Sequence, residues 1–140
     1  AGYRASFDKL WGYTNVVRLG AEHLSDDGNI VLVSGAPARR AKPGQAAIAS
    51  VGGAVEQFVR AVTAELAPKR INVVSPGVID TPMFGNDADA RAKMLGGATA
   101  KNLIPRAGTP EEVAEGIMFV VKNDFVTGTT IDVDGGWILS

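Results

Sequence analysis

The stretch Ile71 to Met83, INVVSPGVIDTPM, constrains the fold more than any other part of the chain. A short run rich in β-branched residues, Ile71 to Val74, meets an abrupt breaker at Ser75-Pro76-Gly77. Such a run reads as a buried strand that ends there. Pro76 removes a backbone donor and Gly77 opens conformations closed to other residues, so a ligand can approach the main chain at that point. Upstream, Gly53 to Leu66 carries apolar residues at helical spacing, and Ala67-Pro68 stops it. Helix, short turn, strand and Pro-Gly loop make half of a parallel βαβ arrangement, in which ligands sit at the carboxyl ends of strands.

The remaining segments extend this pattern in both directions. Ser6 to Leu24 reads as a helix with Ser6 as N-cap and with Leu10, Val16, Val17 and Leu24 apolar. Asp26-Asp27-Gly28 is a turn, and Ile30 to Val33 is a strand of four consecutive apolar residues, covered on both faces as in a parallel sheet. Ala36 to Gln45 is a basic loop with two prolines, and a second helix follows it to about Leu66. Gly85 to Asn102 is small and polar, with short helical stretches at best, and an excursion this long reads as a functional lid. Thr109, Pro110, Glu111 and Glu112 start a strong helix that sends Val113, Ile117, Val120 and Val121 inward. Thr129 to Val133 is a last strand before Asp134-Gly135-Gly136. The order is helix, strand, helix, strand, loop, helix, strand: an α/β chain with a small parallel sheet. Ile30 to Val33 would leave an apolar edge, which invites pairing with a strand outside this sequence. The chain reads as a truncated one.

Residue usage excludes several classes of function. A net charge of −1 gives no electrostatic case for nucleic acid or an anionic membrane. No apolar run is long enough to span a bilayer, no signal pattern opens the chain, and a cytoplasmic location is expected. With no cysteine there is neither a disulfide framework nor a thiolate metal site, and His23 alone forms no cluster. Asp87 and Asp89 lack the spacing of a cation loop, so no metal is expected. Arg39, Arg40 and Lys42 read as a solvated basic loop, and Trp11 and Trp137 as core or interface aromatics.

Four segments then carry a resemblance: NIVLVSG from Asn29, FVRAVTAELAPKRINVVSPGVIDTPM from Phe58, IPRAGTPEEVAEGIMFV from Ile104, and VTGTTIDVDGGW from Val126. Over nearly its whole length the chain resembles the C-terminal part of a short-chain dehydrogenase/reductase. The resemblance implies a Rossmann-like doubly wound α/β sheet, incomplete here, in a single domain over residues 1–140 with a substrate-loop insertion at about 82–106. It implies hydride transfer between NAD or NADP, with NADP slightly favoured, and a small carbonyl or alcohol substrate. The backbone after Pro76 and Gly77, at Val78 and Ile79, would hold the nicotinamide carboxamide, and Thr81 would bond the carboxamide or the pyrophosphate. A homodimer or homotetramer through helices 6–24 and 53–66 is the implied assembly. The Gly-rich dinucleotide turn is absent from the sequence.

The family's catalytic groups do not fall on matching residues. Counting back from Ala64-Glu65-Leu66, the Tyr position falls on Ile48 and the Lys position on Gly52, while the Ser position falls on Gly35, with Ser34 beside it. The family's Asn aligns with Lys9. Lys9, with Tyr13 one turn further along the same helical face, is therefore a candidate proton donor or carbonyl polariser, and Ser34 a candidate substrate hydrogen-bond donor. The competing reading makes Lys9 a solvated helix-start lysine and Ser34 a strand-end cap. The chain is then a catalytically inactive scaffold that binds dinucleotide or only oligomerises.

Overall fold

The computed structural model describes residues 2–140. In chain order it contains α1 (Tyr3–Ser6), α2 (Asp8–Gly20), β1 (Asn29–Val33), α3 (Ala46–Leu66), β2 (Arg70–Pro76), α4 (Ala88–Thr99), α5 (Pro110–Lys122) and β3 (Thr130–Val133). Single 3-10 turns lie at Ala21–His23, Ala36–Ala38, Pro82–Phe84 and Trp137–Leu139. The strands form one parallel sheet in the order β1-β2-β3, with Leu32 opposite Val73 and Ser75 opposite Asp132. Among the described residues β1 has no partner on its outer side.

Alternation along the strands decides which helix each residue meets. Leu32, Ile71 and Val73 face α2 and α3, where they close a core with Val17, Val55 and Val59. Val74 faces the other way, with its Cγ1 3.7 Å from where a Cβ on Gly116 of α5 would lie. Helices thus cover both faces, which makes the sheet a Rossmann-like doubly wound arrangement. Val55, Val59, Ile71 and Val73 are fully enclosed. Each contributes about 1.5–3 kcal/mol by burial.

The boundaries differ from the sequence reading in ways that have physical causes. Ser6 caps nothing: it closes α1, and Phe7 passes in helical conformation into α2, so the expected helix over 6–24 is two helices and a 3-10 turn. The second helix does begin at Ala46, directly after the loop at 36–45 as expected, and its interior glycines are tolerated because tertiary packing outweighs their propensity. The central strand does not stop at Val74. Ser75 and Pro76 remain in register with Asp132 and Val133, Pro76 lying at the strand's last position. Residues 88–99 form one helix of 12 residues, with the Asp87 carboxylate accepting from the Ala90 amide at 2.9 Å. Val121 is exposed, since only Val120 of α5's last turn meets the sheet.

Two local devices hold α5. Thr109 and Glu112 form a reciprocal capping box behind Pro110. At the other end the guanidinium of Arg70, buried under the sheet, donates to the carbonyls of Val120 (2.9 Å), Val121 (3.1 Å) and Val126 (3.0 Å). A cation at a helix C-terminus satisfies orphan carbonyls and complements the dipole.

Candidate functional site

The site grows from the end of β2. Gly77 does not adopt a left-handed conformation, and the space beside it is filled by protein: a Cβ there would lie 2.7 Å from Asp134 Cα and 2.8 Å from its oxygen. Its amide donates to Val133 at 3.0 Å. The special conformation expected of Gly77 is therefore not adopted, and its missing side chain serves the packing against Asp134. The glycine lets the ends of β2 and β3 touch.

Beyond it, Val78 accepts from the Gly108 amide at 2.9 Å and the Asp80 amide donates to Gly108 at 2.9 Å, a parallel bridge centred on Ile79. Such a bridge leaves the Ile79 N–H and C=O pointing away from Gly108. Among the described residues neither group has a partner, and neither do the Val78 N–H and the Thr81 hydroxyl. A strip of free donors and an acceptor at a strand's carboxyl end suits a primary carboxamide, which offers both in return. This observation fits a nicotinamide group to Val78, Ile79 and Thr81. Alongside, a groove of about 390 Å³ runs between Val78-Ile79, Ile104 and Asp134 to Gly136, with the Arg106–Glu112 pair on its rim.

Lys9 and Tyr13 stand at the end of β1. The Lys9 ammonium donates to the Ser34 carbonyl at 3.2 Å and lies 5.7 Å from the centre of the Tyr13 ring. Tyr13 Oη reaches the Val33 carbonyl at 3.5 Å, long for a hydroxyl donor. Desolvation of the ammonium lowers the Lys9 pKa from its ordinary 10.5, while water still reaches the exposed side chain. The Ser34 hydroxyl points elsewhere. It donates to Glu56 Oε1 at 2.9 Å, so its hydrogen is committed and the expected donation to a substrate oxygen is not the bond formed.

Glu56 was not singled out by the sequence reading. Enclosed on α3, it faces Arg39 (3.5 Å) and Arg60 (3.7 Å), and Arg39 also forms a two-pronged pair with Asp132 on β3. Arg40 donates to the Trp137 carbonyl at 3.0 Å, the Trp137 indole donates back to Arg40 at 3.1 Å, and Lys42 lies 3.7 Å over the same ring. The expected solvated basic loop is thus a strap tied across the sheet end, with Trp137 buried beneath it. The strap fits because Gly52 has no side chain: a Cβ there would lie 2.9 Å from Ala38 Cβ. Ile48 is half exposed and carries no acid or base.

A family model described as enoyl-(acyl carrier protein) reductase matches residues 6–138. The chain belongs to the short-chain dehydrogenase/reductase family. It is 39% identical over 111 residues to the short-chain dehydrogenase/reductase ATR9 of Stachybotrys chlorohalonatus, a match covering 79% of this chain and 44% of that protein. It is 41% identical over 116 residues to a cyclopentanol dehydrogenase of Comamonas testosteroni, covering 79% of this chain and 45% of that protein. A crystal structure of a small-chain dehydrogenase in complex with NADPH superposes with a TM-score of 0.92 at 33% identity, over 99% of this chain and 64% of that one. This short-chain dehydrogenase/reductase chain spans about half the length of the curated relatives it matches. Among its described residues no helix is long and apolar enough to cross a membrane.

Proposed function

We propose that this chain supplies the nicotinamide end of the site, and the substrate lid over 82–106, of an NAD(P)-dependent oxidoreductase that interconverts a carbonyl and an alcohol. One observation carries the reading: the unpaired Ile79 peptide and Thr81 hydroxyl at the end of the central strand. A similar structure contains NADPH, which tilts the choice toward NADP, and a similar protein is a cyclopentanol dehydrogenase. When bound, the cofactor supplies the hydride. Val78 and Ile79 hold the carboxamide through main-chain groups, and Thr81 adds its hydroxyl. Lys9, anchored on the Ser34 carbonyl, donates its proton to the substrate oxygen as negative charge develops there, and exposure to solvent restores it. Tyr13 sets the position of the ammonium from beneath. Trp11, Val16 and Leu19 leave an apolar outer face on α2, consistent with self-association through α2 and α3.

A second reading has its own observation. Ala38 seated on Gly52, and Ile48 in place of an acid, favour a relative that binds dinucleotide without turning it over. Titrating the full chain with NADPH and NADH by nicotinamide fluorescence, and following oxidation of each with a panel of carbonyls, separates the two. Lys9→Ala should lower kcat about 10²–10⁴-fold with cofactor affinity kept. Binding without oxidation of any carbonyl selects the second reading. Absence of binding defeats the first reading and leaves a scaffold that only oligomerises.

A further inference from the structure

The lid helix is held at its two ends and little between. At its far end the chain returns to the sheet through the Ile104 amide, which donates to Gly135 at 2.9 Å, and through Leu103, packed against the bare α-carbon of Gly136. At its near end the anchor is a single side chain. Arg91 Nε donates to Asp80 Oδ1 at 2.6 Å and Arg91 Nη1 to the Gly85 carbonyl at 2.7 Å. Between these ends, among the described residues, α4 packs extensively on no other helix or strand, and only Leu95 and Thr99 are enclosed. Its other positions are mostly small or charged, so burial contributes little to holding it in place.

Asp80 gives this anchor its significance, because it follows Ile79 directly. The strip Val78 to Asp80 is fixed on one side by its two backbone bonds to Gly108 and at its end by the guanidinium of Arg91. Arg91 also spans residues 80 to 85, tying together the loop that carries the Thr81 hydroxyl. The Arg91 side chain is mostly enclosed, at 19% exposure, while that of Asp80 is about half exposed. A fork gripping a carboxylate and a carbonyl at once fixes orientation as well as distance, which a point charge does not.

We propose that Arg91 is a positioning residue: it is the catch that holds the start of α4 to the loop after β2, and through Asp80 it fixes the direction in which the Ile79 peptide and Thr81 point. The nature of the ligand met there rests on the function proposed above. The catch itself does not. Removing it releases the lid and blurs the donor strip together, while the sheet beneath is untouched.

The experiment compares the full chain with Arg91→Met, which keeps the aliphatic stem, Arg91→Lys, which keeps only the charge, and the exchanged pair Asp80→Arg with Arg91→Asp. Amide hydrogen exchange is followed at 88–99, at 78–81 and at core residues 71–75, alongside NADPH affinity by fluorescence. In Arg91→Met, exchange across α4 and the strip should quicken about tenfold and NADPH affinity fall about three- to tenfold, with core exchange unchanged. Arg91→Lys should fall between, and the exchanged pair should recover part of the loss. Unchanged exchange at α4 in Arg91→Met overturns the proposal, and so does equal loss of protection in the core, which would make Arg91 a general structural residue. A wild-type chain that binds no NADPH removes the dinucleotide reading, and α4 exchange then decides the catch alone.

Discussion

Replacing Gly77 by Ala tests what the glycine is for. The added methyl would lie 2.7 Å from Asp134 Cα, 2.8 Å from its oxygen and 3.0 Å from its carbonyl carbon, all backbone atoms that no rotamer can move. The nearest is roughly 0.7 Å short of ordinary contact, so the ends of β2 and β3 must part by about that amount. Parting stretches the 3.0 Å bond from the Gly77 amide to Val133 beyond useful length. Overpacking of this kind costs ~1–3 kcal/mol and the bond ~1 kcal/mol. Because the Gly77 backbone is not left-handed, Ala recovers ~0.4–1 kcal/mol through the unfolded chain. A net loss of about 2 kcal/mol follows, which lowers the urea midpoint by about 1 M if the slope is unchanged. NADPH affinity should fall with it, since Val78 and Ile79 leave the displaced end of β2. Loss of NADPH binding at an unchanged midpoint would refute the packing argument and return Gly77 to the ligand.

Two further outcomes follow from the ends of α5. Arg70→Met strips three carbonyls of a charged donor, with Val120 retaining the Asn29 side-chain amide and Val126 the Asn72 side-chain amide, each at 2.9 Å, so that Val121 is left bare, and should cost about 1–3 kcal/mol in equilibrium unfolding. A loss below ~1 kcal/mol would show that water replaces the guanidinium. Glu112 is held down to about 2 from its ordinary 4.5 by its hydrogen bond from Arg106, then by the Thr109 amide. A depressed carboxylate stabilises above its unfolded pKa and loses that contribution as pH falls through the folded one. Amide protection at the start of α5 should therefore decline between about pH 4.5 and 2 in the wild type and stay flat over that range in Glu112→Gln. An identical decline in both would place the titrating group elsewhere.

Much of this architecture is local and therefore legible along the chain. The β-branched run at Ile71, the Thr109–Glu112 box and the Pro-Gly stop are neighbours in sequence, and their chemistry acts between neighbours. The motifs around Pro76 and Asp134 carry the family resemblance within the sequence alone. The helix at 88–99 was missed because its residues are small and polar, so no apolar period marks it. Asp87 ahead of an Ala-rich run was the available signal.

Composition, the order of the three strands and the family were thus set by the sequence itself, since each depends on residues a few positions apart. Tertiary structure alone decided that Gly77 meets Asp134, that Ala38 occupies the space over Gly52, that Ser34 turns to Glu56 and that Arg39 clasps Asp132. In each pair the partners lie far apart along the chain. Their meeting depends on how parallel crossovers bring strand ends together, and no local propensity encodes that distance.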